Sequence, residues 1–303
     1  MKAKASRWLA VMLVLLGATS YGMLSPFIKM AYDRGFNDVQ VSASQITMGT
    51  AILWFMVLVN RKAWANPFRQ PWIRMALIGI FGLALTTFFY NNTLSRLDAS
   101  LSIVLLFQFT WITIVMECLY TRTKPSRNQV IAVVFVLAGT LLAVNLSSGA
   151  MRAVQPLGVL LGLMSACTYS LFLFAAGKVK TTLHASMKSA IMLTAALPVL
   201  YIVYPPHTIF SANAGTLLGW GILLGLLGSV LPTLFFNIGI PAIGSSLSAM
   251  LASMELPVAL TGALFILGER VLPSQWAGMV LILLGIVVSE IRTSASVRPG
   301  GGG

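Results

Sequence analysis

The chain repeats itself. Residues 90–142, moved forward by 146 positions, lie on residues 236–288 without a gap. Asn91 falls on Asn237, Ser100-Leu101-Ser102 on Ser246-Leu247-Ser248, Gln129 on Gln275, Leu137 on Leu283 and Gly139 on Gly285. The fronts of the halves agree too: Val14-Leu15-Leu16-Gly17 then Ser20 resembles Val159-Leu160-Leu161-Gly162 then Ser165. Each half reads as five apolar runs. A repeat with an odd number of membrane crossings enters the bilayer from the opposite side the second time. Inverted repeats of this kind underlie alternating-access carriers.

The runs lie near 8–30, 42–60, 72–93, 97–120 and 127–147, then 156–177, 184–204, 215–238, 242–267 and 274–292. Apolar stretches of about 18–25 residues can each cross a hydrocarbon core of about 30 Å as a helix. Charged residues make up only 9% of the chain, against about 25% in soluble domains. The expected fold is an all-α integral membrane protein of ten transmembrane helices in two five-helix inverted repeats, 1–148 and 149–293, with a disordered tail at 294–303. The first run follows Lys2, Lys4 and Arg7, but it is long for a signal peptide and lacks a small-residue cleavage site. It is kept as a span.

The net charge of +13 does not point to nucleic acid, because the cations sit in loops and form no continuous stripe. They sort by side instead. With the N-terminus inside, only Lys29, Arg34, Arg96, Arg152 and Arg270 of the 20 Lys and Arg lie outside, leaving 20 − 5 = 15 inside. That bias places both termini in the cytoplasm. Cys118 and Cys167 fall in apolar runs and lack metal-ligand spacing, so no metal and no cofactor is expected.

Glycines recur four apart, as Gly158 and Gly162 and as Gly221 and Gly225, and Gly278 and Gly285 lie two turns apart. Such faces let helix backbones approach closely, within one chain or between two. Prolines interrupt spans at Pro26, Pro198, Pro232 and Pro257. Each removes a helical hydrogen bond and frees a carbonyl. Pro26, Pro232 and Pro257 are candidate hinges, and tolerated kinks are the plainer alternative.

Of the seven acidic residues, Glu255 alone falls at the middle of a span. Glu117, Glu269 and Glu290 lie near helix ends, where pairing with a neighbouring Arg or snorkelling suffices. A carboxylate at mid-membrane costs several kcal/mol unless protonated, paired or wetted. Glu255 is therefore either a proton-coupling group or a protonated carboxyl bonded to a backbone carbonyl. No Lys or Arg lies deep in a span to pair with it. Other intramembrane polar and aromatic residues could build a central pocket. The candidates for substrate contact are Ser20, Tyr21, Tyr90, Asn91, Phe107, Gln108, Trp111, Tyr169 and Asn237. Phe107 and Trp111 share a face at i, i+4 spacing. Interface anchoring and interhelical hydrogen bonds are the competing roles for these residues.

No phosphate-binding Gly-x-x-x-x-Gly-Lys-Ser/Thr loop, His-Glu-x-x-His pair or Gly-x-Ser-x-Gly elbow occurs. No catalytic residue is assigned, and the chain is not expected to be an enzyme.

Met254-Glu255-Leu256-Pro257, Leu267-Gly268-Glu269-Arg270, Gln275, Gly278 and Gly285 resemble the closing pattern of EamA-type carriers of the drug/metabolite transporter superfamily. The first half departs from it, with Phe109 and Thr123 where Glu255 and Glu269 would repeat. Within the superfamily the chain looks most like YddG-type exporters of aromatic and other amino acids. That resemblance implies a cell inner-membrane carrier with a cavity between its halves and amino acids as substrates. Lipid surrounds it, and no nucleic acid or obligate protein partner is expected. Alternatives are a carrier of another small solute, such as a sugar or a cationic drug, a channel, or a membrane-embedded enzyme.

Overall fold

A computed structural model describes residues 2–94, 96–97, 99–143, 155–210, 214–268 and 270–293. Asp98, Glu269, Arg152 and the 294–303 tail lie outside the described residues. Among the described residues the chain is helical throughout, with no strand. The first half runs α1 (Lys2–Asp33), α2 (Asp38–Val59), α3 (Trp72–Leu77), α4 (Leu85–Leu94), α5 (Ala99–Leu106), α6 (Phe109–Thr121) and α7 (Arg127–Ala143). The second runs α8 (Pro156–Lys178), α9 (Ala185–Val203), α10 (Ala214–Gly225), α11 (Leu231–Ile243), α12 (Ser245–Ala252), α13 (Glu255–Leu267) and α14 (Pro273–Thr293). Joined end to end, these segments form 8 helices long and apolar enough to cross a membrane, plus two shorter apolar helices, Arg127–Ala143 and Pro273–Ser289. The description of the first of these two stops at 143, four residues before the end expected from the sequence.

The halves share irregularities as well as helices. A π-helical segment, Ile78–Ala84, joins α3 to α4, and another, Leu226–Val230, joins α10 to α11. The α5–α6 junction at Phe107–Gln108 is an interruption of the helix, matched by Ser253–Met254 between α12 and α13. Each pair is related by the 146-residue offset. Only the second-half members carry nearby prolines, Pro232 and Pro257. Pro26 and Pro198 sit inside α1 and α9, which run on through them. The caps repeat as well: Gln129 Oε1 accepts from the Ser126 N–H at 2.7 Å, and Gln275 Oε1 from the Leu272 N–H at 2.8 Å.

The main packing pairs cross between the halves, and each recurs with the halves exchanged. α1 packs on α11 and α13, just as α8 packs on α4, α5 and α6. α2 lies on α9 and α10, α9 lies on α3 and the first π segment, and α7 lies on α14. Glycine permits the closest of these approaches. A Cβ at Gly139 would stand 2.6 Å from the Gly278 carbonyl oxygen, and one at Gly278 would stand 2.5 Å from the Gly139 oxygen. Gly158 and Gly162 face Leu97 and Leu105, and Gly221 and Gly225 face α2. These small-residue faces are therefore consumed inside one chain.

Candidate functional site

The interruption before α13 places Glu255 on that helix's first residue. The side chain lies in the middle of the bundle yet keeps part of its surface accessible. Its carboxylate accepts no hydrogen bond among the described residues. Tyr21, Tyr90 and Tyr169 lie within electrostatic reach of the Glu255 carboxylate. α1 reaches this point closely: a Cβ at Gly22 would run into the Glu255 carbonyl oxygen and Val258.

A chain of aromatic rings crosses the centre between the halves. Phe107 and Phe109 are 5.5 Å apart, and Phe109 meets Tyr169 edge-on at 4.7 Å. Tyr169 stacks on Phe172 at 6.2 Å, Phe172 lies 6.3 Å from Phe236, and Phe236 lies 6.3 Å from Tyr21. The Tyr169 hydroxyl and the Asn237 Oδ1 are buried with no partner. An unpaired buried polar atom costs about 1–3 kcal/mol, so two at one centre indicate groups kept for something other than stability.

The sequence candidates divide accordingly. Tyr21, Tyr90 and Tyr169 gather around Glu255, and Phe107 joins them through Phe109. Ser20 Oγ donates to the Leu227 carbonyl at 2.7 Å, satisfying an acceptor in the second π segment. Asn237 Nδ2 donates to Ser189 Oγ at 2.9 Å, which leaves its oxygen free. Asn91 instead donates to the Tyr204 hydroxyl, away from the centre. Tyr204 lies just beyond α9, and burial pushes its phenol up, against the Asn91 hydrogen bond. Gln108 accepts from Trp111 Nε1 at 2.8 Å, and Trp111 is 40% exposed while Phe107 is 2% exposed. The shared face expected of Phe107 and Trp111 needed a continuous helix, and the interruption at Phe107–Gln108 separates their surroundings.

Phe172 and Phe236 went unremarked, and Phe109 was noted only as a departure from the repeat, because phenylalanine in an apolar run carries no signal of its own. The offset could also have flagged Phe236, the counterpart of Tyr90, as it had Phe109, the counterpart of Glu255. Lys188 corrects another expectation. Instead of lying in a loop, it is in the first turn of α9, 3% exposed, and donates to the Ala176 carbonyl at 2.8 Å. A cation there satisfies a last-turn acceptor of α8 and opposes that helix's negative end.

The profile of the EamA-like transporter family matches residues 8–145 and again 156–290. No curated protein matches. One solved crystal structure of a protein superposes with a TM-score of 0.71 over 98% of this chain and 99% of its own, at 17% identity. At that identity the likeness concerns the fold alone.

Proposed function

This chain belongs to the EamA-like transporter family, and we propose that it exports aromatic and other amino acids across the cytoplasmic membrane by alternating access. The family match makes it a multi-pass membrane transporter with two repeats. The reading of the substrate is carried by one observation: a carboxylate without a protein partner stands among three tyrosines at the centre of the bundle. A carboxylate with aromatic rings in its electrostatic reach suits an ammonium group, and the phenylalanines linked to Tyr21 and Tyr169 suit a ring or a short apolar side chain. The tyrosine hydroxyls are donors for the substrate carboxylate. With no cation at the centre among the described residues to hold that carboxylate, modest affinity is expected. In this reading the N-terminal face is cytoplasmic, as the distribution of Lys and Arg favours.

Glu255 serves here as the proton-coupling group: a proton and a substrate ammonium compete for one carboxylate. A cationic amine without a carboxylate fits the same cage and is the second reading. Counterflow of labelled phenylalanine, threonine and glucose in proteoliposomes separates the two, with and without a proton gradient, for wild type and Glu255→Gln. Saturable exchange of amino acids without glucose supports the proposal. Gradient-driven accumulation lost in Glu255→Gln while counterflow survives assigns coupling to Glu255. Absence of amino-acid exchange sinks the substrate reading.

A further inference from the structure

Glu117 belongs to the first half, and among the described residues its carboxylate is held by the second. The Ser246 N–H donates to its Oε2 at 2.7 Å, the Ser246 hydroxyl at 3.0 Å, and the Ser245 hydroxyl donates to the same oxygen. Lys178 Nζ, at the end of α8, stands 3.5 Å from Oε1. The same ammonium lies 4.7 Å over the Tyr120 ring and 5.4 Å over that of Phe174, and these rings meet edge-on at 5.5 Å. The carboxylate therefore sits on the positive end of α12, tied by charge-assisted hydrogen bonds and a cation. Gly244, which turns α11 into α12, has φ +86°, a conformation that a side chain would strain. With the Glu117 side chain only 20% exposed, this contact is shielded from the screening that makes surface pairs weak.

The tie joins three points that alternating helices bring to one face: the end of α6, the end of α8 and the start of α12. The sequence repeat does not copy it. The 146-residue offset puts Ala263 in place of Glu117, and Ala99 and Ser100 in place of Ser245 and Ser246. α12 runs from this tie to the interruption at Ser253–Met254, beside Glu255. It is thus a short lever with the tie at one end and the central carboxylate at the other.

We propose that Glu117 is the latch of the N-terminal-face mouth, holding α6 of one half to α12 of the other, and that it releases the α12 N-terminus when that mouth opens. The proposal rests on the alternating-access reading above. Its test reads geometry rather than flux, so the two can fail separately. In full-length protein with Cys118→Ser and Cys167→Ser, spin labels go on exposed positions at the same face, Leu119→Cys and Ala242→Cys. Pulsed dipolar spectroscopy in nanodiscs then compares this parent with Glu117→Ala and with Ser245→Ala/Ser246→Ala, which keeps the carboxylate but removes both hydroxyls. The expected result is a longer-distance population in each variant, with the closed-to-open ratio falling at least about tenfold, the equivalent of one charge-assisted hydrogen bond. Glu117→Gln, which keeps an acceptor but not the charge, falls between parent and alanine. Distributions identical to the parent in the serine pair and in whichever Glu117 variant folds overturn the latch. Failure of amino-acid counterflow overturns the substrate reading and leaves this result standing.

Discussion

At the scale of single residues, the centre is defined by groups left without partners. The Tyr169 hydroxyl is buried and makes no hydrogen bond in the fold, so Tyr169→Phe should raise stability by about 1–3 kcal/mol. If the hydroxyl serves substrate, the same substitution raises the half-saturation concentration for phenylalanine about tenfold, the worth of one hydrogen bond. Melting in detergent and counterflow titration measure the two effects independently, and neutrality in counterflow removes Tyr169 from the substrate's path. Ser20 makes the opposite case. It satisfies a π-segment carbonyl, so Ser20→Ala should cost about 1 kcal/mol of stability, measured by the same melting. Glu255 was legible in the sequence because a charge in an apolar run stands out. The phenylalanines beside it were not, because their role depends on which way each helix faces. Glu117 was visible but misread: its partners come from segments 61 and 128 residues away, at Lys178 and Ser245, and only the packing brings them to it.

At the scale of elements, glycine sets how closely the helices approach. Gly278 lies against the Ala143 and Gly139 backbone, whereas Gly219 faces open space. Gly278→Val should destabilise by about 1–3 kcal/mol, the usual cost of overpacking, while Gly219→Val should be neutral or slightly stabilising. Paired melting curves check the contrast, and equal effects would mean that α7 and α14 do not pack as described. The prolines gave only half of the irregularities. Pro232 and Pro257 flag the second-half π segment and interruption, but the first-half counterparts contain no proline. Those were legible only by carrying the second half's features back by the offset. The physical reason is that a π segment follows from an extra residue in the turn, not from a missing N–H.

At the scale of the whole molecule, the strongest contacts run between the halves rather than within them. Neither 1–148 nor 149–303 should fold alone, whereas the two expressed together should assemble and co-purify; a half that is monodisperse by itself would contradict that packing. The two-half architecture was the most legible level of all, because hydropathy and the repeat are global patterns that survive uncertainty at any one position. The asymmetries between the halves carry a consequence of their own. In an inverted repeat, one state becomes the other when the halves exchange conformations. A chain of two identical halves would give both states equal statistical weight, an equilibrium constant of one fixed by symmetry rather than by any contact. Each position where the halves differ is then a term in the energy that separates the states. Glu117 against Ala263 and Glu255 against Phe109 are two such terms. In the alternating-access reading, the chain's resting preference is written in its departures from its own repeat.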